Sequence, residues 1–288
     1  MLNSRQAHVN LVEFSLVLMV GSLAAGFLGA LTGLGGGVVI VPLLTLALGV
    51  DIRYAIGASL ISVIATSSGA ASAYVKEGYS NIRIGMFLEI ATSSGALFGA
   101  FLASSISTQV IGAVFGIVLL YSAYHSLRPH AAQPCDEGTP RDRIATLLRM
   151  DGAYPTPEGQ RHYCVRAVPL GFGLMFGAGT LSGLLGIGSG ALKVIAMDQA
   201  MRLPFKVSST TSNFMIGVTA AASAGVYLSR GYIDPGLAMP VVLGVLGGSF
   251  LGARFLASAR ARLLRNIFAG VVVMLALEMI YNSLKGRL

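Results

Sequence analysis

Apolar residues along the chain come in long blocks, without the alternation of a strand or the one-sided stripe of a surface helix. Stretches at 14 to 33, 55 to 75, 84 to 103, 107 to 127, 166 to 185, 207 to 228, 236 to 256 and 264 to 284 approach the roughly 20 apolar residues a helix needs to cross hydrocarbon. This pattern predicts an all-α polytopic membrane protein. One polar segment, 128 to 165, interrupts it with Pro129, Pro134, Pro140, Pro155 and Pro157 among Arg128, Arg141, Arg143, Arg149 and Arg161. That segment reads as a water-exposed connector carrying one short amphipathic helix from Arg141 to Met150.

The blocks repeat. A shift of 153 residues lays 33 to 103 on 186 to 256 without a gap and gives 15 identities in 71 positions, about twice the chance level for this composition. Gly33/Gly186, Gly35/Gly188, Gly37/Gly190, Ser59/Ser212, Tyr74/Tyr227, Gly95/Gly248 and Gly99/Gly252 are among them. The chain therefore divides into transmembrane repeat 1 (1 to 127), the Pro/Arg-rich connector (128 to 165) and transmembrane repeat 2 (166 to 288). Each repeat reads as a long helix, a Gly-rich break, a short helix and three more helices. The short helix of the second repeat is expected over 191 to 201.

Composition supports this reading: 54% hydrophobic residues, 11% charged and a mean hydropathy of +0.74 exclude an ordinary soluble domain, which runs nearer 25% charged. The net charge of +8 is scattered in short bursts between apolar blocks, which argues against a nucleic-acid partner and for a lipid bilayer. If the short helix crosses, each repeat has five crossings and the second is inverted. A cytoplasmic connector then puts 14 basic residues inside and leaves Arg5, Arg53, Arg230, Lys285 and Arg287 outside. Parallel repeats of four crossings give 12 against 7, a weaker bias, so the inverted five-plus-five arrangement is favoured. Tyr54, Tyr74, Tyr79, Tyr121, Tyr227, Tyr232 and Tyr281 sit at or near segment ends and are expected to form an interfacial belt.

Candidate chemistry begins at the two breaks, Gly33-Leu34-Gly35-Gly36-Gly37 and Gly186-Ile187-Gly188-Ser189-Gly190. A helix that starts inside the membrane presents free N–H groups and the positive end of its dipole, and glycine lets a ligand reach the backbone. Two such ends facing each other form an anion site of the kind that transporters build from discontinuous helices. The alternative is close helix crossing alone, as expected for Gly95, Gly99, Gly248 and Gly252. The candidate ligand-binding residues are Gly35, Gly36, Gly37, Gly188, Ser189 and Gly190, with Ser59 and the run Thr210-Thr211-Ser212-Asn213 as neutral donors. Lys193, where the first repeat has Ile40, costs about 2.5 to 3.5 kcal/mol at membrane depth and needs a partner or a wet cavity. Glu89 is the candidate proton carrier. Glu278 and His125, which the shift brings together, are weaker ones. There is no zinc-protease His-Glu-x-x-His, no Walker Gly-Lys-Ser/Thr and no metal-ligand spacing among the 4 histidines, so neither an enzyme nor a cofactor is expected.

At these residues the chain resembles the TauE/SafE family of sulfite and organosulfonate exporters, also called the toluenesulfonate uptake permease family. The resemblance rests on Gly-Leu-Gly-Gly-Gly-Val-Val-Ile-Val-Pro-Leu-Leu (33 to 44), Ala58-Ser59, Gly-Ile-Gly-Ser-Gly (186 to 190) and Thr210-Thr211-Ser212-Asn213, and it covers both repeats. Ser189 and Ile195 depart from the pattern of the first repeat, and the connector is long. The resemblance implies a permease of the bacterial inner membrane for small sulfur-containing anions such as sulfite or sulfonates. The competing class is a non-transporting membrane subunit or sensor that docks a cytoplasmic partner through 128 to 165, and a homodimer is compatible with either.

Overall fold

The computed structural model describes residues 11–32, 37–76, 80–127, 142–156, 159–256 and 261–286. The first half contains α1 (Leu11–Thr32), α2 (Gly37–Pro42) running into a π-helical turn (Leu43–Ala47), α3 (Ile52–Lys76), α4 (Ile82–Ser105) and α5 (Thr108–Leu127). The connector holds α6 (Arg143–Leu147) and a hairpin of β1 (Gly152–Thr156) and β2 (Gly159–Tyr163). The second half repeats the order: α7 (Val168–Leu185), α8 (Gly190–Ile195) running into a π-helical turn (Ala196–Ala200), α9 (Phe205–Ser229), α10 (Pro235–Leu256) and α11 (Ala261–Leu284).

Local chemistry sets the boundaries. Asn81 caps α4, its Oδ1 accepting from the Ile84 N–H at 3.1 Å, and Asp234 does the same for α10 through Gly236 N–H at 2.8 Å. The α7 helix opens with Pro169 in its first turn and closes on Gly186, whose φ of +67° suits a residue without Cβ. Pro42 lacks the N–H that a continued α-helix needs, yet the π turn that follows it recurs after Ile195. Proline is therefore not its cause. The short helix expected over 191 to 201 is found over 190–200, as α8 and its π turn.

Residues meeting across the bundle give the helix directions. The α4 and α7 helices run parallel, Gly95 lying on Phe176 and Gly99 on Thr180, and α1 and α10 run parallel, Met19 meeting Gly244 and Leu23 meeting Gly248. The α3 and α9 helices are antiparallel, Gly57 against Tyr232 and Ser67 against Gly217, as are α5 and α11, Gln109 against Ser283 and Gly116 against Ala276. The extensive packing joins the sequence halves to each other: the first helix of each half lies on the fourth helix of the other.

Glycine makes this possible. A Cβ on Gly95, Gly99, Gly179 or Gly183 would stand 2.0–2.1 Å from a carbonyl oxygen of the facing helix, and one on Gly248 2.0 Å from the Leu23 oxygen. The backbones touch, which is how small residues hold helices together where lipid removes the hydrophobic drive.

The connector is more than an exposed linker. Asp142 caps α6 through Ile144 N–H at 2.9 Å, and its second oxygen accepts from Val168 N–H, the start of α7, at 2.8 Å. Ala145, Met150, Tyr154, Tyr163 and Val165 are buried in a second apolar core with Ile84, Leu88, Met175, Met197 and Met201. The Asn81 amide donates to the Met150 carbonyl and to the Tyr163 hydroxyl at 2.9 and 2.7 Å. Burial pushes the Tyr163 phenol up, so that hydroxyl stays neutral. Residues 142–166 thus seal one end of the bundle.

Gly183→Val should destabilise the fold by about 1–3 kcal/mol or more through overpacking, whereas Gly177→Val, with nothing within 4 Å, should melt with the wild type. Thermal unfolding of the two variants in detergent checks this. Equal melting temperatures would mean that the α4–α7 contact is not what holds the halves.

Candidate functional site

The start of α2 at Gly37, the second break and the Lys193–Glu89 pair lie in the interior of the bundle. Gly37, the first residue of α2, lies against α3, where an added Cβ would be 2.7 Å from Ser59 Oγ, 2.9 Å from Val63 and 3.2 Å from the Gly186 carbonyl oxygen. The Ser59 hydroxyl donates to that carbonyl at 2.8 Å, and the Ser212 hydroxyl donates to the Gly190 carbonyl at 3.1 Å. The first-half break therefore touches the second through Gly37, Ser59 and Gly186. Gly188, at φ +70°, packs on Ile216 and Val63. Gly35 and Gly36 lie outside the described residues.

The hydroxyl run does not act as one unit. Thr210 bonds back to the Lys206 and Val207 carbonyls, and Thr211 accepts from the Asn81 N–H at 3.1 Å, toward the connector. Asn213 is partly buried. Ser189 has φ +48°, is 2% exposed, and its hydroxyl has no hydrogen-bond partner. Buried polar atoms without partners are uncommon, so Ser189 is the member of the set with a free donor beside the break.

Lys193 has a protein partner, one of the two outcomes that its place in an apolar stretch requires. It is fully buried, and its ammonium donates to the Thr219 hydroxyl on α9. Thr219 Oγ1 lies 2.7 Å from Glu89 Oε1 on α4 and 3.0 Å from the Met215 carbonyl, so its single proton can go to either. The Ser93 hydroxyl donates to the same Glu89 oxygen at 2.7 Å. Glu89 Oε2 stands 4.0 Å from Lys193 Nζ and has no hydrogen-bond partner. The α4 helix ties the connector at Asn81 and reaches Arg230 at Ala100. At 1.5 Å per residue this puts Glu89 about 12 Å from one tie and about 16 Å from the other, near the middle of a hydrocarbon slab of about 30 Å.

This constellation draws on both halves, Glu89 from the first and Lys193 and Thr219 from the second, and has no symmetry-related copy. The 153-residue shift places Ile40, Thr66 and Val242 at the positions of Lys193, Thr219 and Glu89. Thr66 and Thr219 are one of the repeat identities, a signal that could have singled Thr219 out beforehand. Glu278, by contrast, lies exposed on α11.

Many large apolar side chains of the long helices face out. Met86, Ile90, Phe98 and Phe101 on α4, Met239, Leu243 and Phe250 on α10, and Met274 and Leu277 on α11 are exposed, a pattern that suits lipid and not water. Among the described residues α4 and α7 meet the length and hydropathy of a membrane span in full, and six further helices contain shorter apolar stretches. Tyr54, Tyr121 and Tyr281 are exposed as a belt requires, but Tyr227 is 2% exposed and its hydroxyl donates to the Gly183 carbonyl at 3.1 Å. It is a packing residue of the bundle.

A helical bundle with an apolar exterior, a broken helix in its interior and, among the described residues, one buried ion pair has the features of a membrane transporter. The chain belongs to the sulfite exporter TauE/SafE family, whose model matches residues 18–279. It is 28% identical over 275 residues to the probable membrane transporter protein YunE of Bacillus subtilis, covering 93% of this chain and 98% of the relative. It is 29% identical over 241 residues to the probable membrane transporter protein YdhB of the same organism, covering 83% and 88%. A probable membrane transporter protein of Xylella fastidiosa strain 9a5c is 28% identical over 275 residues, covering 93% and 96%. No solved structure matches the chain.

A lone buried lysine could be replaced by methionine without loss of stability. Because Lys193 is paired, Lys193→Met and Glu89→Gln should each destabilise by about 3 kcal/mol, since each strands a buried partner, and the double variant should recover most of the loss. Melting curves of the three proteins in detergent decide this. Additive losses would show that the two groups do not interact.

Proposed function

We propose that the protein moves a small sulfur-containing anion, such as sulfite or an organosulfonate, across the bacterial inner membrane by alternating access. The observation that carries this reading is the Lys193–Thr219–Glu89 constellation beside the second glycine break. The Lys193 ammonium holds the anion, helped by the free Ser189 hydroxyl, while Thr219 hands its hydrogen bond from one partner to the other. When the anion arrives, Glu89 takes a proton. The site then goes from lysine with carboxylate to lysine with anion, one positive charge against one negative in both states. A low-dielectric interior favours such neutrality, since an uncompensated buried charge is costly. Proton uptake thereby couples anion movement to the proton gradient.

Two features support an inverted five-plus-five arrangement. The equivalent helices α3 and α9, and likewise α5 and α11, run in opposite directions. The connector end gathers Arg83, Arg143, Arg149, Arg161, Arg166, Arg202 and Lys206, while Arg53, Arg230 and Lys285 lie at the other, which favours a cytoplasmic connector. The rocking bodies are mixed: α4, α7 and α9 on one side, α1, α3 and α10 on the other.

Radiolabelled sulfite counterflow in proteoliposomes tests the central claim. Lys193→Met should raise KM more than tenfold, at least about 1.4 kcal/mol of lost binding. Glu89→Gln should keep exchange but lose proton-driven accumulation. A wild-type KM in Lys193→Met would refute the role of the ammonium. A reporter fused to the C-terminus should be active only in the periplasm, and cytoplasmic activity would overturn the inverted arrangement.

A further inference from the structure

At the end of the bundle away from the connector, Arg53 at the start of α3 and Arg230 after α9 converge on one narrow recess, lined also by Ala100, Ser104, Tyr227 and Tyr232. Arg53 Nη2 donates to the Ile106 carbonyl at 3.1 Å, and Arg230 Nη1 donates to the Ala100 and Phe101 carbonyls at 3.2 and 3.4 Å. These carbonyls belong to the last turns of α4 and to its C-cap, near the negative end of its dipole, and bonding them is a structural task. That task leaves most of the donors over. Each guanidinium presents five N–H groups, and here one Nη of each is used. Arg53 Nε is buried without a hydrogen-bond partner. Among the described residues neither arginine has a carboxylate within 4.0 Å. Two cations with surplus donors and no counter-ion make an anion-seeking pair, and the guanidinium fork suits oxyanions.

The recess also leads to the site. Tyr227, which lines it, bonds through its hydroxyl to the Gly183 carbonyl, three residues before Gly186, where the second break begins. Gly186 in turn rests on Ile56, one turn along α3 from Arg53.

We propose that Arg53 and Arg230 form an outer anion station, at which a small oxyanion of the sulfite or sulfonate class bridges the two guanidiniums on its way to or from the Lys193 site. The station rests on the transport reading above. In the present state the guanidiniums are turned onto the α4 carbonyls and the recess is closed. An arriving anion competes with those carbonyls, so binding there also loosens the end of α4 from α3 and α9. Tyr227 separates the station from the glycine break.

Two measurements test it. In wild-type protein, sulfite should protect Arg53 and Arg230 from phenylglyoxal, read by mass spectrometry, and should do so equally in Lys193→Met, whose central site is impaired. Loss of protection in Lys193→Met would mean that the central site alone binds, and would overturn the station while leaving the transport reading intact. Protection without counterflow would support the station and remove the transport reading. In oriented proteoliposomes, Arg53→Gln and Arg230→Gln should each raise the half-saturating sulfite concentration more than tenfold at the face away from the connector and leave the connector face unchanged. Equal effects at both faces, with a lowered melting temperature, would reduce the arginines to caps of α4.

Discussion

Contact between backbones across glycine is the constraint on which the bundle depends. Lipid solvates leucine as well as a neighbouring helix does, so apolar burial alone cannot choose one packing. Gly95, Gly99, Gly179 and Gly183 let α4 and α7 approach until each helix meets the carbonyl oxygens of the other, and Gly244 and Gly248 do the same for α10 on α1. A single methyl at any of these points meets a carbonyl that cannot move without its helix. Register and direction are therefore fixed together, and so is the interlocking of the two sequence halves.

That interlock decides where function can reside. Because each half lends its first helix to the other, the seam between the proposed moving bodies runs along α3 and α9, and Gly37 and the second break lie on it. Ser59 and Ser212 spend their hydroxyls on the Gly186 and Gly190 carbonyls, so the second break is braced from both halves by neutral bonds. The pair of Lys193 and Glu89 sits at one side of the seam, between α8, α9 and α4. Its equivalents across the repeat are Ile40 and Val242, without charge. The repeated scaffold is symmetric, and one charged residue from each half, Glu89 from the first and Lys193 from the second, supplies the asymmetry of the site.

Much of the architecture was legible in the sequence because membrane helices announce themselves one at a time, and the 153-residue repeat ordered them. The breaks, the short helix at 190–200 and the packing role of Gly95, Gly99 and Gly248 all follow from local pattern. The cost of burying Lys193 could be read too, since it depends on the residue and its surroundings alone. Its partner could not. Glu89 stands 104 residues away, and only the α4–α9 contact brings it within reach of Thr219 and Lys193. Tyr227 misled for the same reason: a tyrosine near a helix end reads as interfacial unless the facing carbonyl of Gly183 is known. The hairpin of β1 and β2 was hidden by the prolines and charges of its segment, and only Tyr154 and Tyr163 on it are buried, through tertiary contact with α4 and the start of α7.

The chemistry of the buried pair constrains the transport cycle. An ammonium and a carboxylate 4.0 Å apart, with a hydroxyl between them, are stable together and unstable alone. Any anion that takes the lysine must either bring a proton for Glu89 or leave a second negative charge in a low-dielectric interior. The first course is cheaper by the full desolvation of a carboxylate, which amounts to several kcal/mol. A purely electrogenic uniport through this site would have to carry that penalty at every turnover. Thr219 lowers the barrier between the two states, because one hydroxyl can accept from Lys193 in both and redirect its own proton from Glu89 to the Met215 carbonyl as the carboxyl becomes neutral. In the proposed cycle, coupling of anion to proton thus follows from where the Lys193–Glu89 pair lies, and needs no second charged pair at the symmetry-related positions Ile40 and Val242.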